Sequence, residues 1–274
     1  MDALTACYAS DSDEEDRGQE AAEPSRSEDG EPSLKRCRHS AVSVSVSEAE
    51  EVLATLQAQH EGRVRAFPHV DGDFATHVLV RVGVPPACRR PLRAILGKVA
   101  ERLPDLHPLT SPAADMPTWG CNEFHLSLSR TVAIRAHQLE PLLQALRSSL
   151  RRWQRFATEL GQMAVFVNDA RTRTFLSLRT LPETDSQFKE LVRRVDKAFM
   201  TQELAVFYED PQPHASLAWV LGDNELQMSD AIADLFPQNS IGKGIVGEGS
   251  RWYADISNVE CKIGNQYYSV VATK

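Results

Sequence analysis

Two short segments of this 274-residue chain carry the same residue pattern, and this repetition constrains the fold more than any other feature. The segments read FHLSL at residues 124–128 and PHASL at residues 213–217. Both alternate polar with apolar residues, which is typical of a half-buried β-strand. Residues two apart on a strand share a face. Each strand is therefore predicted to present an imidazole beside a hydroxyl, namely His125 with Ser127 and His214 with Ser216.

The same alternation assigns the neighbouring residues to faces. We expect Ser129 to lie on the side of His125, and we expect Trp219 to face the core, on the opposite side of its strand from His214. The polar faces then carry no bulky hydrophobic residue. Because a helix-containing stretch precedes each copy, we expect two related lobes that face each other across a central groove.

The rest of the chain mixes strand patterns with helix patterns. Alternation with a period of two predicts strands at 74–84, 123–135, 163–167, 173–181, 205–208, 214–221 and 252–263, and a last strand after the turn at Gly264 and Asn265. Apolar residues with a period of 3.6 predict helices at 89–103, 138–159, 185–199 and 229–235. Several hairpins among these elements indicate an α+β fold rather than a doubly wound parallel sheet.

Charge and composition separate the N-terminal segment from the rest. Residues 1–40 contain 11 acidic and 5 basic residues, which accounts for most of the net charge of -8. Large apolar side chains are scarce over the first 46 residues, so we expect residues 1–46 to be a disordered acidic tail and residues 47–274 to form the folded domain. The net charge of the folded domain is therefore close to zero. Such a domain has no broad basic surface, and its contacts with nucleic acid must be local.

Several classes of protein are excluded by the sequence. No apolar run is long enough for a bilayer-spanning helix, and the N-terminus lacks the features of a secretory signal, so we expect no membrane partner. The five cysteines form no CxxC pair, which argues against a disulfide framework and fits the cytosol or nucleus. The sequence GKGIVG at 242–247 matches the glycine spacing of a dinucleotide site but lacks its strand–turn–helix context.

Paired histidines and hydroxyls suit the cleavage of a phosphodiester that has a neighbouring 2′-hydroxyl. One neutral imidazole can remove the 2′ proton while an imidazolium protonates the departing 5′ oxygen. The serine hydroxyls can hold the non-bridging phosphate oxygens. The substrate supplies its own nucleophile, so we expect no metal or other cofactor. The alternative interpretation is a pair of structural histidines that are bonded to the backbone or to serine.

At these residues the chain resembles the U6 small nuclear RNA phosphodiesterases of the 2H phosphodiesterase superfamily. The resemblance runs from about residue 62 to the C-terminus. It is carried by GRVRAFPHVDGDFATHV at 62–78, FHLSLSRTVAIR at 124–135, RTRTF at 171–175 and FYEDPQPHASLAWVLGD at 207–223. Phe74 and Ala215 depart from the family pattern, where Trp and Leu are usual.

The resemblance implies two lobes, each an antiparallel sheet flanked by helices. It also implies a nuclear enzyme that trims the 3′ oligouridine tail of U6 RNA without metal and leaves a 2′,3′-cyclic phosphate. The roles that it implies are proton donor and acceptor for His125 and His214, phosphate ligands for Ser127 and Ser216, a base-stacking platform for Tyr208, and base or nucleotide contacts for Asp169, Gln212 and Pro213.

The sequence therefore predicts a nuclear, monomeric 3′–5′ exoribonuclease that acts on oligouridylated RNA ends. Two alternatives stay open at this stage. One is another 2H activity, such as hydrolysis of a 2′,3′-cyclic phosphate or RNA end ligation. The other is a non-catalytic RNA-binding scaffold, although a scaffold has no use for both imidazoles. The pattern does not decide which histidine is the base and which is the acid.

Overall fold

The computed structural model describes residues 70–109, 123–237 and 251–271, and these residues form one antiparallel sheet with helices. The strands are β1 Asp73–Gly83, β2 His107–Pro108, β3 Glu123–Ser127, β4 Val132–Arg135, β5 Phe156–Val167, β6 Arg173–Thr180, β7 His214–Leu221, β8 Trp252–Ile256, β9 Val259–Ile263 and β10 Gln266–Val271. The α+β prediction is confirmed. The predicted acidic tail and the glycine-rich segment 242–247 lie outside the described residues.

The sheet consists of two halves that meet at β3 and β7. Its strand order is β10-β9-β1-β3-β7-β6-β5-β8, with β4 also paired to β1 and β2 to β7. One registered pair, Leu126 opposite Ala215, joins β3 to β7. The predicted strand 252–263 is two strands, of which β8 extends the second half and β9 returns to the first. The turn from β9 to β10 places Gly264 at a φ of 54°, a conformation that favours glycine.

Four helices lie in the described ranges, and they cover one face of the sheet. They are α1 Pro86–Arg102, α2 Ala136–Leu150, α3 Asp185–Met200 and α4 Glu225–Leu235. Buried residues on α2 and α3 recur every three or four positions, for example Leu142 and Leu146 or Phe188 and Leu191, so one side of each helix joins the core. The same core takes Leu126 and the other inward-facing strand residues. None of these helices is both long enough and apolar enough to cross a bilayer.

The predicted strand 123–135 is interrupted after Ser127. The buried Ser129 hydroxyl accepts a 2.8 Å hydrogen bond from the Val78 backbone N–H and lies 2.9 Å from the Arg130 carbonyl, to which it donates. A side chain thus substitutes for a sheet partner where the chain leaves β3, and β4 begins at Val132. Ser129 is therefore a structural residue of this turn.

The predicted helix 138–159 ends early, at Leu150. Trp153 and Phe156 continue its apolar spacing, but they pack from a turn and from the start of β5, with their ring centroids 6.2 Å apart. The predicted strand 205–208 is also absent, because the Phe207 backbone N–H donates to the carboxylate of Asp196 instead of to another strand.

A β-bulge in β7 overturns the prediction for Trp219. Leu176 lies opposite Ala218, but Ser177 lies opposite Ser216, so one extra residue of β7 is left between the two pairs. The extra residue shifts the alternation, and Trp219 faces the same side as His214. There it packs with the two buried rings of Phe166 and Phe175.

Candidate active site

The two predicted motifs lie side by side where the halves of the sheet meet. Leu126 and Ala215 face each other in antiparallel register, and both are fully buried in the core. The flanking residues therefore meet on the opposite face of the sheet, as neighbours on two paired strands. This register makes two cross-strand neighbour pairs: His125 with Ser216, and Ser127 with His214.

Two contacts hold the imidazole of His214. Its Nδ1 lies 2.7 Å from the Gln212 carbonyl oxygen, so Nδ1 carries the proton and donates it to this bond. The ring of Phe166 stacks on the imidazole with centroids 3.8 Å apart and planes 14° apart. In the neutral ring the lone pair is consequently on Nε2, the nitrogen needed for proton transfer.

Both candidate histidines are neutral at physiological pH in the free protein. Burial lowers the pKa of His125 to about 4, and the charges of Lys262, of His214 when it is protonated, and of Arg81 act in the same direction. Burial also lowers the pKa of His214 to about 4; the bond to Gln212 opposes this shift and Arg179 adds to it. A bound phosphate would raise both pKa values, because a nearby anion stabilises the imidazolium. The site is thus ready to supply a base, and its acid forms when an anionic substrate binds.

The serine of the second motif is part of a hydroxyl pair. The Ser216 Oγ lies 3.2 Å from the Ser177 Oγ of β6, and both side chains are buried. Ser127 is half-buried beside His214. The sequence did not single out Ser177, because its proximity depends on the β6–β7 register and not on any local motif.

Tyr208 and Asp169, two predicted nucleotide contacts, lie together. The Tyr208 hydroxyl donates to the Asp169 carboxylate over 3.3 Å. Arg130 joins them, with its guanidinium 4.0 Å from the centroid of the Tyr208 ring and 2.7 Å from an Asp169 oxygen. Sequence reasoning missed Arg130, because it assigned this residue to a continuous strand instead of to the turn that follows β3.

The structure gives the other two predicted contacts a role within the protein. The Gln212 carbonyl holds His214, as described above. The Pro213 carbonyl accepts a 3.1 Å bond from the Thr180 backbone N–H, which anchors the start of β7 to β6. Both residues therefore adjoin the site and help to position His214, and their contact with a nucleotide stays a prediction.

A third histidine, His77, lies close to the site. The sequence offered no reason to assign it a role, yet its buried ring lies 5.7 Å from that of His125. Among the described residues its Nε2 has no hydrogen-bond partner, and burial lowers its pKa well below the ordinary value. The alternation of β1 could have placed it on this face, but only the register shows that β3 lies next to it.

No group of three His, Cys, Asp or Glu residues in the described ranges is arranged to hold a metal ion.

Comparison with known proteins identifies the family. A family model described as HVSL, an uncharacterised conserved protein, matches residues 32–271, a range that begins inside the predicted tail. The U6 snRNA phosphodiesterase 1 of Bos taurus is 33% identical over 219 residues, which cover 78% of this chain and 75% of the relative. The human protein of that name is 32% identical over 219 residues, with 77% and 74% covered.

A solved structure supports the fold alone. Kluyveromyces marxianus Usb1 with uridine monophosphate superimposes with a TM-score of 0.52 and 14% identity, over 72% of this chain and 98% of Usb1. The family model and the relatives agree with the resemblance that the paired motifs carry. The chain therefore belongs to the family of the U6 snRNA phosphodiesterases.

Proposed function

We propose that this protein is a metal-independent 3′–5′ exoribonuclease that trims the oligouridine tail of U6 snRNA and leaves a 2′,3′-cyclic phosphate. The observation that carries the proposal is the meeting of the two histidine–serine motifs across β3 and β7. The names of the relatives indicate the RNA substrate.

The reaction is an internal transesterification. One neutral imidazole accepts the proton of the penultimate 2′-hydroxyl, and the 2′ oxygen forms a bond to phosphorus. The bond from phosphorus to the 5′ oxygen of the last nucleotide breaks, and the other imidazole, as the imidazolium, protonates that oxygen. The products are the released 3′-terminal residue with a free 5′-hydroxyl and an RNA shorter by one nucleotide with a cyclic phosphate end. Solvent then restores the two protonation states.

The remaining site residues bind the substrate. Ser127 and Ser216 donate to the non-bridging oxygens, whose negative charge grows in the transition state. Tyr208 stacks on the terminal base, which contributes about 1–3 kcal/mol. The Asp169 carboxylate is an acceptor for the N3–H donor of uracil.

We further propose that the protein acts in the nucleus as a monomer. The nuclear location follows from the proposed substrate, and the monomer follows from the fact that one chain contributes both histidines. Fluorescence microscopy of the tagged chain and analytical ultracentrifugation test these two points.

The decisive experiment is the incubation of a uridine-tailed oligonucleotide with the protein in excess EDTA. We expect stepwise shortening on a denaturing gel and cyclic phosphate ends by mass spectrometry. His125→Ala and His214→Ala should each abolish shortening, whereas His137→Ala, at an exposed position on α2, should not. A 2′-O-methyl group on the penultimate nucleotide should block the first step.

Other outcomes favour the alternatives. An RNA of unchanged length with an altered end indicates another 2H activity. Binding without any product indicates a scaffold.

A further inference from the structure

The face of the sheet that carries His125 continues across β1 and β9 to the edge strand β10. Arg81 lies opposite His125, Lys262 lies opposite His77, and Tyr267 lies opposite Lys262. Directly opposite residues share a face, and so do residues two or four apart on one strand. Tyr267, Arg81 and Lys262 therefore lie on the side of the sheet that carries His125; we call these three residues the β10 platform.

The β10 platform combines an exposed aromatic ring with two cations. Tyr267 is 47% exposed. The Arg81 guanidinium carbon lies 4.1 Å from the centroid of its ring, and the Lys262 Nζ lies 5.5 Å away. Glu260 and Glu123 hold the guanidinium at 2.6 and 3.2 Å, so Arg81 is fixed against the tyrosine. The ring is therefore in contact with fixed positive charge and remains accessible to a ligand.

The charges of the platform reach the catalytic centre. Arg81 lies directly opposite His125 and Lys262 directly opposite the neighbouring His77, and the charges of both cations lower the pKa of His125. An aromatic ring next to cations is the combination with which proteins bind single-stranded nucleic acid, because every base has a face that can stack and every linkage carries a negative charge.

The strand order gives the direction of the RNA. Tyr208 precedes β7 and Asp169 follows β5, so the proposed site for the last base draws on the second half of the sheet. The platform belongs to the first half, and β10 lies three strands from β3, about 14 Å at the usual strand spacing. An RNA that is cut between His125 and His214 therefore continues toward β10.

We propose that Tyr267, supported by Arg81 and Lys262, is a second base-stacking subsite, which binds a nucleotide on the 5′ side of the scissile phosphate in single-stranded RNA. This inference rests on the proposed function and adds the path of the uncut chain to it. The subsite would hold the tail in place while Tyr208 receives each new terminal base. A dinucleotide is too short to reach it.

A length series tests the proposal. The ratio kcat/KM is measured for the dinucleotide UpU and for a uridine hexanucleotide. Tyr267→Ala should lower the value for the hexanucleotide about 5- to 150-fold, the factor that one stacked base supplies, and should change the value for UpU less than twofold. Tyr267→Phe keeps the ring and should behave as the unmodified protein does.

Tyr253 provides a matched control. It lies on β8, at the other end of the strand order, and its exposure of 58% is similar. The Arg251 guanidinium donates a hydrogen bond to its hydroxyl. The Tyr253→Ala variant should cleave UpU and the hexanucleotide with the kcat/KM values of the unmodified protein. Thermal melting of each variant shows whether it is folded.

Binding measurements separate this inference from the proposed function. A hexadeoxyuridylate, which lacks the 2′-hydroxyl and cannot be cut, is titrated by fluorescence anisotropy, and Tyr267→Ala should weaken its binding by the same factor. If Tyr267→Ala lowers kcat/KM equally for UpU and the hexanucleotide, or lowers it for neither, the inference is wrong and the proposed nuclease activity is unaffected. Failure of the unmodified protein to cut any RNA, with tyrosine-dependent binding intact, refutes the nuclease and leaves the subsite.

Discussion

His214 is the residue whose surroundings most clearly prepare it for proton transfer. Its Nδ1 proton is bound to a carbonyl and its ring is stacked on Phe166, so only Nε2 can change its protonation state without breaking these contacts. The electrostatic surroundings of His125 are different, because Lys262 and Arg81 are its cationic neighbours. Burial is the main cause of both lowered pKa values, and the two imidazoles differ in the charges and hydrogen bonds that add to or oppose it.

The pH dependence of the reaction should differ between the free protein and the complex. The pKa of each histidine is about 4 in the free protein, and a bound phosphate raises the pKa of the acid. The ratio kcat/KM reports the free protein and kcat reports the complex. We therefore expect the alkaline limb of kcat at higher pH than that of kcat/KM, in steady-state rates measured from pH 4 to 9. If the alkaline limbs of the kcat and kcat/KM profiles lay at the same pH, the bound phosphate would not raise the pKa of the acid.

Arg179 can assign the roles of the two histidines. It lies opposite His214 in the β6–β7 pair, and its charge lowers the pKa of that imidazole. Arg179→Gln removes the charge and should raise the His214 pKa. The acidic limb of the rate profile moves to higher pH if His214 is the base, and the alkaline limb moves if it is the acid. Arg152→Gln, at an exposed position, is the control, and a profile that Arg179→Gln leaves unchanged would contradict the proposed coupling.

At the scale of elements, side-chain alternation predicted most of the strands but not all of their ends or how they pair. The run from 123 to 135 alternates except at Arg130, and there the Ser129 hydroxyl takes the place of a sheet partner and the chain turns. The bulge next to Ser216 leaves no mark on the local pattern, and it moves Trp219 to the other face. Both features depend on a partner strand that is distant in sequence.

The turn between β5 and β6 depends on one side chain, Asn168. Its Oδ1 accepts from the backbone N–H groups of Thr172 and Arg173 at 2.8 and 3.0 Å, and its Nδ2 donates to the Thr172 hydroxyl. Asn168→Ala leaves the buried Arg173 N–H and the partly buried Thr172 N–H without this acceptor and should lower the free energy of unfolding by about 1–3 kcal/mol in urea titrations.

Asn265 is the control for that measurement, because it is exposed in the β9–β10 turn. Asn265→Ala should change the free energy of unfolding by no more than about 0.5 kcal/mol. If the two variants lost the same stability, the Asn168 network would not be what holds the turn.

At the scale of the whole molecule, the site is assembled from both halves of the sheet. The paired motifs were visible in the sequence because each repeats a local pattern. The residues that complete the surroundings of the motifs could not be found in that way, because they reach the site through long-range pairing: His77 from β1, Ser177 and Arg179 from β6, and Arg130 from the turn after β3. The motifs therefore predict the chemistry, and the sheet topology supplies the groups around it.

Three imidazoles with lowered pKa values should make the stability of the protein depend on pH. Unfolded histidines bind a proton near pH 6.5, whereas folded His125 and His214 do so only near pH 4, and the pKa of His77 is also lowered. Between these values the unfolded state holds more protons, so the free energy of unfolding should fall as the pH drops from 7 toward 4.

Urea titrations at several pH values measure the slope of the free energy of unfolding against pH. Replacement of His125 and His214 by Gln should make it shallower, and His137→Gln, at an exposed position, should not. A slope unchanged in the double variant would show that these imidazoles are not buried in the neutral form.

The return of β9 and β10 to the first half of the sheet has a consequence for truncated forms of the protein. A stop codon shortly before Val259 would spare both histidine motifs and every residue of the Tyr208 cluster, yet it would remove β9, which pairs with β1, together with the edge strand β10. The N-terminal motif would lose its structural support although its codons are intact. Intact motifs alone are therefore a poor guide to whether a truncated form is functional, and loss of residues 259–274 should be as damaging as loss of His125 or His214.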